Sequence, residues 1–258
     1  MSELRPLATR LLRLLLLGTA CVLLCGCVYL RLLELKKQFS HFDENFIVEP
    51  TEDLTLRCLH PVLEPDDLRW LGASPKTVTV SADGEDWSVR WVKEPALGTT
   101  EATVYDMELG LEFADGYLVE VRIPKRFLVF VPRDLIVNML RSTGAARVDK
   151  NDRKADVQTE APATSALPNL NTIQAMLGAP TRPAVPTSAG LVYDYRYRLD
   201  SAAALDKPIE ASFTFDVTTG ALRKFTARLP RGTLNYDFSS PTPTAEKPKK
   251  GRPAKNGL

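Results

Sequence analysis

Leu170-Asn171-Thr172-Ile173-Gln174-Ala175-Met176-Leu177-Gly178-Ala179-Pro180 sets apolar residues at helical spacing and ends in Leu-Gly followed by Pro, the stop signals of a short amphipathic helix. The same signature stands earlier, in Leu68-Arg69-Trp70-Leu71-Gly72-Ala73-Ser74-Pro75, where Pro65, Asp66 and Asp67 supply a favourable first turn. Strand-like alternation follows each helix. After the first come Thr77 to Val80, Trp87 to Val92, Val104 to Phe113, the turn Ala114-Asp115-Gly116 and Tyr117 to Ile123. After the second come Leu191 to Leu199, Ile209 to Val217, the turn Thr218-Thr219-Gly220 and Leu222 to Leu229. The pattern predicts an α+β fold of two small units, each a helix packed on an antiparallel three-stranded sheet.

Working outward, the first unit is expected over 46–148, with added strands at Phe46 to Val48 and Leu54 to Leu59 and a closing helix from Arg133 to Ser142. The second is expected over 169–238. Residues 149–168 hold few large apolar side chains and are expected to be a linker. Residues 239–258 are rich in Pro, Lys and Thr and are expected to be a disordered basic tail.

The N-terminus is different in kind. Arg5, Arg10 and Arg13 form a basic stretch, Leu14 to Leu24 carries no charge, and Leu24-Cys25-Gly26-Cys27 follows. This resembles the signal peptide and lipobox of bacterial lipoproteins, implying removal of residues 1–26 and acylation of Cys27. An uncleaved anchor is the alternative, since the charge-free stretch continues to Leu30, just short of the roughly 20 residues of a membrane span. Residues 27–45 are then the lipidated Cys and a tether helix. Over Val28 to Phe39, Leu32, Leu35 and Phe39 share one stripe, as suits either an interfacial anchor or a spacer. In the lipoprotein pattern an Asp after the Cys favours the inner membrane; Val28 stands there, so the resemblance implies the periplasmic face of the outer membrane.

The two helix-and-strand segments resemble the BamE-like (SmpA/OmlA) periplasmic lipoprotein domains. The resemblance is carried by Leu177-Gly178-Ala179-Pro180, Tyr193-Asp194-Tyr195, Phe213-Thr214-Phe215-Asp216 and Gly220, and more loosely by Asp66 to Ile123. It implies a membrane-anchored, non-catalytic module that binds or scaffolds an envelope protein partner. The alternatives are a module for lipid, lipopolysaccharide or peptidoglycan and an envelope hydrolase built on scattered carboxylates.

Composition and motifs narrow the rest. The chain carries 33 basic and 32 acidic side chains, and removing residues 1–26 leaves a balance of about −1, which does not ask for a polyanionic partner. Lys249-Lys250-Gly251-Arg252-Pro253 faintly resembles a minor-groove hook, but a secreted chain meets no chromosome, and no nucleic-acid partner is expected. Only His41 and His60 are available as imidazoles, and neither has a partner at metal-ligand spacing, so no metal and no cofactor is expected. Asp66-Asp67 suits a helix start and Asp83-Gly84-Glu85-Asp86 a hairpin turn; no catalytic motif and no small-molecule substrate is evident. Cys58, the one cysteine outside the signal region, alternates with Leu54 and Leu56 as a core residue. Trp87 and Trp91 share one strand face and Tyr193, Tyr195 and Tyr197 another, as core under a helix or as an exposed binding platform. Intact-mass measurement on membrane-purified protein is expected to give a chain beginning at an acylated Cys27; an unmodified polypeptide starting at Met1 would refute the lipobox assignment.

Overall fold

The computed structural model describes residues 28–96, 98–100, 103–159, 167–201 and 207–238. The predicted signal peptide with Cys27 and the predicted tail lie outside them. A helix runs over 28–40 (α1). It is followed by α2 (Phe42–Asn45), β1 (Phe46–Glu49), β2 (Leu54–Cys58), α3 (Pro65–Leu71), β3 (Thr77–Val80) and β4 (Gly84–Lys93). Next come β5 (Met107–Ala114), β6 (Tyr117–Ile123), α4 (Lys125–Leu128), α5 (Arg133–Gly144), β7 (Arg147–Asp149) and β8 (Lys154–Gln158). The chain then forms α6 (Leu170–Leu177), β9 (Val185–Thr187), β10 (Gly190–Leu199), β11 (Ile209–Phe215), β12 (Leu222–Leu229) and β13 (Gly232–Asp237).

The two expected separate units do not form. All strands join one 13-stranded mixed sheet, ordered β1-β2-β6-β5-β4-β10-β11-β12-β13-β8-β7, with β3 on β4 and β9 on β10. The reason lies at the edges of the two meanders. β3 covers only Glu85 to Ser88 of β4, and β9 covers only Gly190 to Val192 of β10. The far halves of β4 and β10 would keep open backbone groups, and they satisfy each other: Trp91, Val92 and Lys93 pair antiparallel with Leu199, Arg198 and Tyr197.

The seam is close to two-fold symmetric. Counted from their first residues, Gly84 and Gly190, the ninth residues Val92 and Arg198 face each other. Those two glycines are equivalent in packing as well: a Cβ would come 1.8 Å from the Phe113 carbonyl oxygen at Gly84 and 2.2 Å from the Phe215 carbonyl oxygen at Gly190. Only glycine permits this approach of neighbouring backbones at both strand starts.

The stretch expected to be a linker contains β8, whose pairing with β13 is the only parallel one among the described strands. It is recruited by the hydrogen-bonding edge of β13 more than by burial; Val157 is its one fully buried side chain.

The faces of the sheet differ sharply. Inward positions carry Trp87, Val89, Trp91, Tyr195, Tyr197 and Phe215, all buried. Outward positions carry ion pairs and amide bridges, such as Arg122–Asp86 at 2.6 Å and Asn235 donating to Asp156 at 2.8 Å. The aromatic rows are core, and no exposed aromatic platform exists at those positions. Cys58 is half-buried against the smaller cluster of Phe42, Phe46 and Leu56, and burial pushes its thiol up to about 11 from 9.0. Because the folded pKa is raised, the thiolate is about a hundredfold scarcer than for an ordinary thiol below that pH. A bulky maleimide is therefore expected to label the native chain slowly at pH 7.5, faster as pH rises toward 11, and rapidly in urea.

Candidate functional site: an apolar cavity under helix α5

A cavity of about 460 Å³ lies between the inner face of the sheet and helices α5 and α6. Its origin is legible in the register. On β11, β12 and β13 the aromatic side chains Phe213, Phe225 and Tyr236 stand side by side, with ring centroids 5.0 and 6.1 Å apart. In the adjacent inward row, two residues along each strand, Ala211 faces Ala227, which faces Leu234. Two methyl groups sit where Phe-sized side chains stand in the adjacent row, and the space they leave is the floor of the cavity.

The opposite wall comes from Trp91 of β4 and Met107 and Leu109 of β5. Four strands, β4, β10, β11 and β12, separate β5 from β13 in the sheet order, yet both ends line one cavity, so the sheet is strongly curled.

Helix α5 roofs the cavity with Leu135, Ile136, Met139 and Leu140. Only Leu135 among these is buried; the other three are half-covered, so the cavity face of the helix is not packed out. Its ends are tied to distant parts of the sheet. The Arg133 guanidinium donates to the carbonyls of Glu49, Thr51 and Asp53 at 2.8, 2.7 and 3.0 Å, where β1 turns into β2. At the other end the Thr143 and Tyr236 hydroxyls lie 2.8 Å apart, and the Ser40 hydroxyl donates to the Gly144 carbonyl at 3.0 Å. In a flat sheet β2 and β13 would be separated by seven strand spacings, roughly 34 Å. The 12 residues of α5 span about 18 Å. The helix is thus a strap across the curl.

The wall is almost wholly apolar. Glu108 contributes to it, but this residue alternates with Met107 and Leu109, and its carboxylate meets Arg90 and Arg126, each at 3.7 Å, on the other side of the sheet. Among the described residues Tyr236 supplies the one hydroxyl at the wall; burial raises its pKa, and the bond to Thr143 works against that rise.

The residues singled out for chemistry in the sequence are not brought together. Asp67 is buried as part of a capping box at the start of α3, where it accepts from Glu64 N and Arg31. Glu85 accepts from the Trp87 indole at 2.8 Å, and Asp86 pairs with Arg122. His41 stands before α2, and His60 offers its carbonyl to Gln38. Among the described residues no group of three or more His, Cys, Asp or Glu side chains is placed to hold a metal. Arg133, Ala211 and Ala227 went unremarked in the sequence. The available signal was an alanine at an inward position between large neighbours, in Ile209-Glu210-Ala211-Ser212-Phe213 and Phe225-Thr226-Ala227-Arg228-Leu229.

No protein-family model, curated protein or solved structure matches the chain.

Arg133→Ala removes three charge-assisted hydrogen bonds from the strap and is expected to cost about 1–3 kcal/mol in urea unfolding. Arg141→Ala, which breaks an exposed pair with Asp43 and a cation–π contact with the Phe42 ring at 5.1 Å, should cost less than Arg133→Ala. Equal effects would refute the strap role of Arg133.

Proposed function

We propose that this chain is a lipid-anchored binding protein of the cell envelope, tethered through Cys27, whose cavity receives the hydrocarbon part of a lipid. The observation that carries the proposal is the cavity itself: about 460 Å³ of space into which, among the described residues, no charged side chain is directed. Ligand pockets in general span roughly 300–1,000 Å³. An apolar wall selects for a molecule whose transfer from water contributes about 0.8 kcal/mol per methylene.

This is the lipid-binding alternative of the sequence analysis. It is favoured over a protein scaffold because the aromatic rows that would have formed a platform are covered. It is favoured over a hydrolase because the described cavity wall contributes neither converging carboxylates nor a Ser with a His. The outer membrane, inferred from Val28, is the proposed site of action, with the lipid taken from or held beside the leaflet that carries the anchor.

Organic extraction of the purified protein followed by mass spectrometry is expected to release lipid at about one molecule per chain. A fluorescent fatty acid should rebind the stripped protein. Ala227→Leu combined with Ala211→Leu fills the floor without enlarging a packed region, so it should lower affinity at least tenfold while leaving the unfolding midpoint nearly unchanged. A stripped, folded protein that takes up no long-chain lipid would overturn the proposal.

A further inference from the structure

We propose that the first two turns of α1 insert end-on into the headgroup layer of a lipid bilayer, an inference that rests on membrane attachment at Cys27. The helix is inside out for one that faces water. Tyr29, Leu30 and Leu33 are 52%, 66% and 47% exposed, whereas Arg31 between them turns inward. Its Nε and Nη2 donate to the fully buried carboxylate of Asp67 at 2.6 and 2.7 Å, and its Nη1 lies 3.2 Å from Glu64. This bidentate clamp fixes the rotation of α1 about its axis and thereby decides that Leu30 and Leu33 point outward.

The apolar character ends abruptly along the same outer face, where Glu34, Lys37 and Ser40 are the exposed residues that follow. From Tyr29 to Leu33 the axis advances about 6 Å, within the roughly 5–10 Å by which interfacial helices bury their apolar face. The Tyr29 ring packs edge-on against Trp70 at 5.6 Å, and the Arg231 guanidinium lies 5.5 Å from the Trp70 ring. Tyrosine, tryptophan and arginine around exposed leucines match the chemistry of the membrane–water interface, where aromatic rings sit at headgroup depth and cations meet phosphate. A bilayer is the occupant because Cys27, the proposed point of acylation, is the residue next to Val28 in the chain, which places these exposed side chains within a few residues of the proposed anchor.

The test uses membrane-purified chain reconstituted in vesicles of brominated phosphatidylcholine with a fraction of anionic lipid. Of the three tryptophans, Trp87 and Trp91 are buried and Trp70 is half-buried beside the proposed contact, so bromine should quench Trp70. Emission is expected to fall relative to unbrominated vesicles. The fall should shrink at least twofold in Trp70→Phe, any remainder arising at Trp91 on the cavity wall, and at least twofold in Leu30→Glu combined with Leu33→Glu, two exposed positions whose change leaves the core intact. A chain that floats with the vesicles but shows no fall keeps the Cys27 attachment and overturns the α1 contact. A fall that Trp70→Phe leaves at full size arises at Trp91 on the cavity wall alone and likewise overturns it. A chain that does not float overturns both.

Discussion

Three residues of β4, Trp91 to Lys93, pair with three residues of β10, Tyr197 to Leu199, and the architecture hangs on this short seam. Without it the two meanders would each carry a half-open edge. With it they form one surface whose inner face is continuous. Neighbouring groups extend the ladder at both ends: Glu94 N donates to the Arg196 carbonyl at 2.8 Å and Asp200 N to the Arg90 carbonyl at 2.9 Å. The buried carboxylate of Asp106 braces one side, accepting from Lys93 N at 2.9 Å and from Arg90. The near two-fold relation across Val92 and Arg198 makes the two halves behave like subunits joined edge to edge, each satisfying in the other what it leaves unpaired in itself.

Once joined, so long a sheet has to twist and curl, and α5 fixes how far. Arg133 holds the β1–β2 turn, Thr143 and Ser40 hold the other end, and the helix between them is too short to cross a flat sheet. Curl and strap together border an open-sided cavity that the described side chains do not fill. The shortfall is local, because the aromatic row of Phe213, Phe225 and Tyr236 is well stacked while the neighbouring row is built on Ala211 and Ala227. Size at two inward positions, not polarity, creates the space.

Cavity and α1 fit one picture of a protein working at a bilayer. The ionic outer face of the sheet suits water, the inner face suits hydrocarbon, and the clamp between Arg31 and Asp67 turns Leu30 and Leu33 of α1 outward. In the proposed role, a body held at a leaflet through Cys27 would have lipid within reach at high effective concentration, so a modest intrinsic affinity would be enough for occupancy.

Much of the local structure was determined by sequence alone. Alternation marked most of the long strands, Leu-Gly followed within three residues by Pro marked the ends of α3 and α6, and the inward aromatics were recognisable as a set because periodicity is a property of neighbouring residues. The expectation of two separate units failed because edge pairing is a contest among backbone groups far apart in the chain, and no residue type at Trp91–Lys93 or Tyr197–Leu199 announces the partner. β8 was hidden for the same reason, since its place depends on the edge of β13 and not on apolar content. The cavity was beyond reach altogether. An alanine in a strand specifies a small side chain, but whether a neighbour fills the gap above it is decided only when the sheet has curled and α5 has been tied across it.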